Sequence, residues 1–218
     1  MKKLVIFDLD GTLLNTIADL GSACNHALTA MGFPTHDLTQ YPFMVGNGIT
    51  RLIERALPPD HRDETTVTAA RKHFLNYYEA HCTDLTTPYD GIDTLLHQLV
   101  AHDIKVAVAS NKYQAGVTKL ITHFFPDVPW VAVEGQRENR PIKPDPAIVS
   151  DIMTVAGVNA GDVLYVGDSG VDIDTAANAG LESVGVTWGF RPESELRDHH
   201  ARHIAHDTSA ILALALEQ

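Results

Sequence analysis

Two aspartates two residues apart close the first apolar run of the chain: Leu4–Phe7 is followed by Asp8 and, after Leu9, by Asp10. In extended backbone, residues i and i+2 point to one side, so the two carboxylates face the same space. Three later segments end in groups of matching chemistry. Ser110-Asn111-Lys112 closes the run Ile104–Ala109, Lys143 lies beyond the run Trp130–Val133, and Asp168-Ser169 closes the run Val163–Val166. Asp8 and Asp10, together with Asp168 and Asp172, offer the hard oxygen ligands that suit Mg²⁺. A divalent cation, a lysine and a hydroxyl around a carboxylate make a receptor for a phosphoryl group. The cations neutralise the phosphoryl oxygens while the carboxylate attacks phosphorus. Gly11 permits close backbone approach, and the amides after Asp8 add donors.

For these groups to meet, the elements carrying them must be parallel strands. The runs Leu4–Phe7, Ile104–Ala109, Trp130–Val133, Val163–Val166 and Ser183–Thr187 are short and nearly all apolar. They alternate with helical periodicities such as Ile92, Leu95, Leu96, Leu99 and Val117, Leu120, Ile121, Phe124. Apolar strands separated by helices predict a Rossmann-like parallel sheet covered on both faces, an α/β class. In such a sheet, ligands bind beyond the carboxyl ends of the strands, where the polar residues above are placed. Ser209–Leu216 reads as a last covering helix.

One stretch breaks the alternation. Between Asn15 and Thr87 three amphipathic stripes occur and no convincing strand. The first contains Ile17, Leu20, Cys24, Ala27, Leu28 and Met31 and stops at Gly32 and Pro34. Ile49, Leu52, Ile53, Ala56 and Leu57 form the second, and Val67, Ala70, Phe74, Tyr77 and Tyr78 the third. The expected organisation is a core of residues 1–14 and 88–218 with a helical cap, residues 15–87, inserted after the first strand. Hinges are expected near Leu14–Thr16 and Thr86–Tyr89.

Bulk properties narrow the partners. The 218 residues carry a formal net charge of −12, which argues against a nucleic-acid backbone or an anionic membrane as the target. Hydrophobic residues are 44% and charged residues 20%, a globular balance rather than a disordered one. Cys24 and Cys82 have no metal-ligand spacing and read as reduced, packed thiols. The four apolar residues after Lys3 are too few for a signal-peptide core, and no run reaches membrane-spanning length, so the cytoplasm is the expected compartment.

In this order and spacing, Phe7-Asp8-Leu9-Asp10-Gly11-Thr12-Leu13, Ser110-Asn111-Lys112, Lys143-Pro144-Asp145-Pro146 and Gly167-Asp168-Ser169-Gly170-Val171-Asp172 resemble the four motifs of the haloacid dehalogenase superfamily. The resemblance spans nearly the whole chain and implies roles. Asp8 is expected to be the nucleophile and a metal ligand. Asp10 is expected to protonate the leaving group and then activate water, with its backbone carbonyl on the metal. Ser110, Asn111 and Lys143 are expected to hold the transferring phosphoryl group. Asp168 is expected to bind Mg²⁺, with Asp172 supporting the metal. The acid at position 10 favours phosphoester hydrolysis over the dehalogenase and phosphonatase branches. Within the superfamily, Val45-Gly46-Asn47-Gly48-Ile49, Glu54-Arg55-Ala56-Leu57 and Gly135-Gln136-Arg137 are similar to the phosphoglycolate phosphatase-like branch. A cap placing Arg51 or Arg55 and the Gly46–Gly48 turn amides over the site is expected to bind a substrate carboxylate.

The resemblance implies a Mg²⁺-dependent phosphatase acting on a small phosphorylated metabolite, as a monomer or homodimer. The same core serves a sugar phosphomutase or phosphotransferase, in which another hydroxyl replaces water. A non-catalytic phospho-ligand-binding protein is the reading from a different class. Several residues have ordinary structural explanations: Arg51 and Arg55 as a solvated or salt-bridged face, Ser110 as a helix cap, and Asp174 as a helix-start acid. Gly46-x-Gly48 lacks the third glycine and preceding strand of a dinucleotide fingerprint, and no P-loop pattern occurs. Gly167-Asp168-Ser169-Gly170 is spelled like a serine-protease nucleophile segment, but the alternating α/β pattern is wrong for that fold. His199, His200, His203 and His206 are expected to cover a surface near a strand at Ile204 rather than to converge on a metal.

Overall fold

The computed structural model describes residues Met1–Glu217. Its centre is β1 (Leu4–Phe7), four residues with no exposed surface. Both faces of β1 are covered. Val5 and Phe7 point into one apolar cluster and Leu4 and Ile6 into another, which is why this strand is apolar throughout instead of alternating.

Five more strands complete a parallel sheet: β4 (Lys105–Tyr113), β5 (Ala132–Gln136), β6 (Val163–Gly167), β7 (Glu182–Val186) and β8 (His203–Ala205). The spatial order is β5-β4-β1-β6-β7-β8. The chain thus leaves β1 to one side for β4 and returns to its other side for β6. Phe7 lies opposite Val108 and Val166, so β1 and β6 end within a residue of each other while β4 runs on past them to Tyr113. That reversal of strand order opens the crevice in which an α/β sheet presents its ligand groups.

Helices α4 (Ile92–Ala101), α5 (Gln114–Phe124) and α9 (Thr208–Leu216) pack on the Val5/Phe7 face through Leu95, Leu99, Leu120 and Ile211. On the opposite face, α6 (Ala147–Ala156) and α7 (Gly170–Asn178) bury Ile148, Ile152 and Ala176. Each large aliphatic side chain buried this way stabilises the fold by roughly 1.5–3 kcal/mol. A short helix, α8 (Glu193–Asp198), follows β7.

The first strand leads into helices, as the sequence pattern predicts. Helices α1 (Ile17–Ala30), α2 (Gly48–Ala56) and α3 (Glu64–His81) follow the three amphipathic stripes. Leu20, Ala27, Ile53, Ala70 and Phe74 form one continuous apolar interior with the sheet face beneath. Chain entry and exit lie side by side. In a two-residue antiparallel ribbon, β2 (Leu14–Asn15) pairs with β3 (Thr87–Pro88), Leu14 opposite Pro88 and Asn15 opposite Thr87.

The run Trp130–Val133 marked β5 about two residues early. Pairing starts at Ala132 opposite Ala107 and continues to Gln136 opposite Tyr113. Trp130 instead packs edge-on against Phe125 below the strand. Cys24 and Cys82 are buried free thiols. Among the described residues no helix is long and apolar enough to cross a membrane.

Candidate active site

Beyond the carboxyl end of β1, the backbone turns sharply: the N–H groups of Leu13 and Leu14 both donate to the Leu9 carbonyl. The turn needs Gly11, which has φ +91°. A Cβ on Gly11 would also sit 2.3 Å from Asp168 Oδ2, so a side chain there is excluded by space as well as by backbone. Gly189 closes on the same carboxylate from the loop after β7, where a Cβ would lie 2.2 Å from that of Asp168. These close approaches hold Asp168 against β1.

Asp8, Asp168 and Asp172 bring carboxylate oxygens within 4.8 Å of one another, and all three residues are buried. Lys143 Nζ stands among them, 3.0 Å from Asp8 Oδ1 and 2.7 Å from Asp172 Oδ1, and donates to Tyr165 Oη at 3.1 Å. Burial by itself pulls the lysine down. The Asp172 and Asp8 carboxylates outweigh it, and Lys143 stays well above its ordinary value and charged.

Asp8 has the opposite balance. Burial raises it against the pull of Lys143, and Asp172 and Asp10 add to the rise, taking the carboxyl to about 7. Asp168 is pushed well above the carboxylate range by burial and then by Asp172 and Asp8. Once ionised, three clustered acids facing one lysine carry negative charge in excess, which a divalent cation would neutralise.

One further detail fits a cation or a phosphoryl group. Asp8 Oδ1 is buried and accepts no hydrogen bond, since Lys143 is near enough to pair in charge but is not aligned to donate. Beside it, a cavity of about 10 Å³ lies between Asp8, Asp168, Ser169 and the Gly46 turn. That is the space of about one water-sized group. An all-carboxylate donor set of this kind suits Mg²⁺ rather than a soft metal.

Asp172 has a second task that its position at the start of α7 made foreseeable. It accepts from the Ser169 hydroxyl at 2.7 Å and the Ser169 backbone N–H at 3.2 Å, closing the first turn of the helix. Asp168 accepts from the Phe190 N–H at 2.7 Å. Asp10 lies on the other side of Asp8, and Thr16 donates to its Oδ1 at 2.7 Å. Thr16 occupies the N-cap of α1 yet its side chain caps nothing, so the hydroxyl is spent on Asp10 instead of the helix. Lys112 Nζ also reaches Asp10, at 3.0 Å from Oδ1 and 3.3 Å from Oδ2.

Ser110 is buried at the end of β4's apolar stretch, and its Oγ accepts from the Lys112 N–H at 3.2 Å. Asn111, expected beside the phosphoryl group, uses its side-chain amide elsewhere. Oδ1 accepts from the Lys143 N–H at 2.8 Å, and Nδ2 donates to the Lys143 and Gly46 carbonyls at 3.1 Å each. It therefore fixes the backbone of Lys143 and ties it to the helical insertion.

Over Asp8, Asp10 and Lys112 the insertion closes a cavity of about 40 Å³. Its roof is Leu20, Ile49, Leu52, Phe74 and Tyr78, with Gly46 and Gly48 at the side. Arg51 and Arg55 are not in it. Ile49 and Leu52 turn the apolar face of α2 towards the cavity, and the two arginines lie away from it. Arg51 pairs with Glu54 at 2.6 Å. Arg55 donates to the Met44 carbonyl at 2.8 Å and to Asn47 Oδ1 at 2.7 Å, beside a shallow surface hollow shared with Arg62. The expectation that one of them overlies the site is not met in this arrangement.

Four residues at the site had been given no role: Thr16, Lys112, Tyr165 and Arg191. Lys112 carried a usable signal, because it stands with Ser110 in the segment that closes the strand; the ladder to β5 shifts register between Ala109 and Tyr113, and both side chains line one chamber. Arg191 carried none. It comes from the loop after β7 and donates to the Pro42 carbonyl and, at 2.9 Å, to the Val45 carbonyl, joining the core to the insertion.

The histidine-rich segment does not converge. His199 pairs with Asp174 at 2.9 Å, His203 pairs with Glu182, and His206 contacts Thr187 at 3.2 Å.

Comparison with known proteins places this geometry. The family model for haloacid dehalogenase-like hydrolases matches residues 5–186. A phosphoglycolate phosphatase of Mesorhizobium japonicum is 32% identical over 97% of this chain and 91% of its own length. One from Cereibacter sphaeroides is 34% identical over 93% of this chain and 94% of its own. The crystal structure of a predicted phosphoglycolate phosphatase from Haemophilus somnus superposes with a TM-score of 0.89 at 28% identity, covering 98% of this chain and 97% of the other.

Proposed function

This chain belongs to the haloacid dehalogenase-like hydrolases, and on that premise we propose that it hydrolyses a small phosphate monoester of the phosphoglycolate kind, with Asp8 carrying the phosphoryl group. The observation that carries the proposal is Asp8 Oδ1, a buried carboxylate oxygen without a hydrogen-bond donor, 3.0 Å from Lys143 and inside the three-aspartate cluster.

In the first step the Asp8 carboxylate oxygen forms a bond to phosphorus as the bond from phosphorus to the ester oxygen breaks. Asp10 gives its proton to the leaving oxygen. In the second step Asp10, now a carboxylate, takes a proton from water whose oxygen bonds to phosphorus, and the bond to Asp8 breaks. Lys143 and the Ser110 hydroxyl hold the phosphoryl oxygens throughout. Mg²⁺, held by Asp8, the Asp10 backbone carbonyl and Asp168 and supported by Asp172, would neutralise the charge that builds on those oxygens. Lys112 and Thr16 fix the Asp10 carboxylate, and Asn111 fixes the backbone of Lys143.

Residues 15–87 serve as a cap that excludes water from the chamber, over a core of residues 1–14 and 88–218. A small phosphorylated metabolite and reduced, buried thiols agree with action in the cytoplasm.

The test is phosphate release from a panel of phosphoglycolate, sugar phosphates, nucleoside monophosphates and pyrophosphate, with Mg²⁺ and with chelator. Mg²⁺-dependent release from phosphoglycolate, lost in Asp8→Asn, is expected. A folded Asp8→Asn protein with full activity on the preferred substrate contradicts the mechanism.

A further inference from the structure

The roof of the chamber above Asp10 is apolar except at one place. There α3 puts Tyr78 against Lys112 of β4, with the ammonium 4.7 Å from the centre of the tyrosine ring. Tyr78 has no exposed surface, and its hydroxyl is buried without a hydrogen-bond partner within the protein. A buried hydroxyl is costly to leave unpaired, so a native fold keeps one where something else pairs with it. Both residues line the cavity that holds Asp8 and Asp10.

Lys112 contributes the charge. Its side chain is 4% exposed, and both hydrogen bonds from its ammonium go to the carboxylate of Asp10, at 3.0 and 3.3 Å. An ammonium carries three donors, and one carboxylate cannot engage all three. Arg51 and Arg55, the arginines expected to supply a cation from the cap, are committed elsewhere: Arg51 to Glu54, Arg55 to Met44 and Asn47. The remaining roof, Leu20, Ile49, Leu52 and Phe74, offers no donors.

We propose that Tyr78 Oη and Lys112 Nζ form the subsite for a carboxylate on the leaving group, making these two residues the determinants of preference for a short 2-phospho-carboxylic acid. The inference rests on the phosphoglycolate reading above and adds which groups recognise the acid. Position supports it. Ser110, assigned to the phosphoryl group, lines the same chamber as Lys112 and Tyr78, at the irregular end of β4. A substrate with phosphate on Ser110 therefore has its other end in the chamber that Lys112 and Tyr78 line. Burial holds the Tyr78 hydroxyl well above its ordinary range, with the Asp10 charge adding to the effect, so it remains a donor at neutral pH.

The experiment measures kcat/KM for 2-phosphoglycolate and for ethyl phosphate, which matches it in length but lacks the acid. Wild type, Tyr78→Phe, Lys112→Met and Arg51→Gln are compared. Wild type is expected to prefer phosphoglycolate. Tyr78→Phe removes only the hydroxyl and should lower the ratio roughly tenfold to a hundredfold, the size of one lost hydrogen bond to an ionised group. Lys112→Met should lower it at least as far, and Arg51→Gln should leave it in place. A wild type that hydrolyses both esters with no preference overturns the substrate reading and the subsite together. A wild-type preference that survives in Tyr78→Phe, or that falls instead in Arg51→Gln, overturns the subsite alone.

Discussion

Arg191 of the core donates through Nη2 to the backbone carbonyl of Val45, in the helical insertion, at 2.9 Å. Its Nε lies 3.4 Å from Glu195, and Glu195 also accepts from the Gly170 N–H at 3.0 Å. One guanidinium therefore ties the loop between α1 and α2 to the start of α7, the helix that carries Asp172.

Arg191→Gln should weaken closure over the chamber. The expected result is a fall in kcat/KM of roughly tenfold to a hundredfold, the worth of hydrogen bonds from a charged group. Amide exchange at residues 43–47 should rise at the same time. Unchanged exchange in that loop would show that Arg191 is not what holds it.

Asp8 makes stability depend on pH in an unusual direction. Its carboxyl lies near 7 in the folded chain against 3.8 ordinarily, and Asp168 is shifted the same way. A folded state that binds protons more tightly than the unfolded one gains stability below the ordinary value. It loses that gain as pH rises through the folded value. Metal-free protein should therefore melt at progressively lower temperature from about pH 4 to about pH 7, as far as Asp8 decides it, with Asp168 acting in the same direction. Mg²⁺ competes with the same protons, so the rise in Tm on adding it should be larger at pH 8 than at pH 5. Thermal melts with Mg²⁺ and with chelator check both signs, and a Mg²⁺ shift independent of pH would count against the cluster as its site.

Lys143 compensates that cluster. Lys143→Met leaves Asp8, Asp168 and Asp172 buried without their cation, and should cost about 3–5 kcal/mol near neutral pH. The penalty should shrink at pH 5, where Asp8 takes up a proton. Urea unfolding in chelator at the two pH values measures it. An equal cost at both would mean that lost packing, not charge, dominates.

How much of this was legible in the sequence depended on whether chemistry and strand ends coincided. Asp8, Ser110 and Asp168 each end an apolar run, so a parallel sheet brings them together whatever the details of packing. The helical insertion was equally plain, because three amphipathic stripes and no strand pattern can form little else. Tyr78 was hidden by its own surroundings. It belongs to the apolar stripe of α3 with Val67, Ala70 and Phe74, and nothing in spacing separates a core tyrosine from one whose hydroxyl faces a chamber. Arg51 and Arg55 went the other way. Their spacing showed one face of a helix, but which face turns inward is decided by the burial of Ile49, Leu52 and Ile53. Arg191 sits in a loop whose path is set by tertiary contacts, so no local pattern announced it.

The central claim is that phosphorus is transferred to Asp8 before it reaches water. Rapid acid quench of the Mg²⁺-loaded protein during turnover of phosphorus-labelled substrate, followed by peptide mapping, tests it directly. Label on the peptide containing Asp8, absent in Asp8→Asn, is the predicted result. Phosphate release with label on no residue, or on a residue other than Asp8, would contradict it.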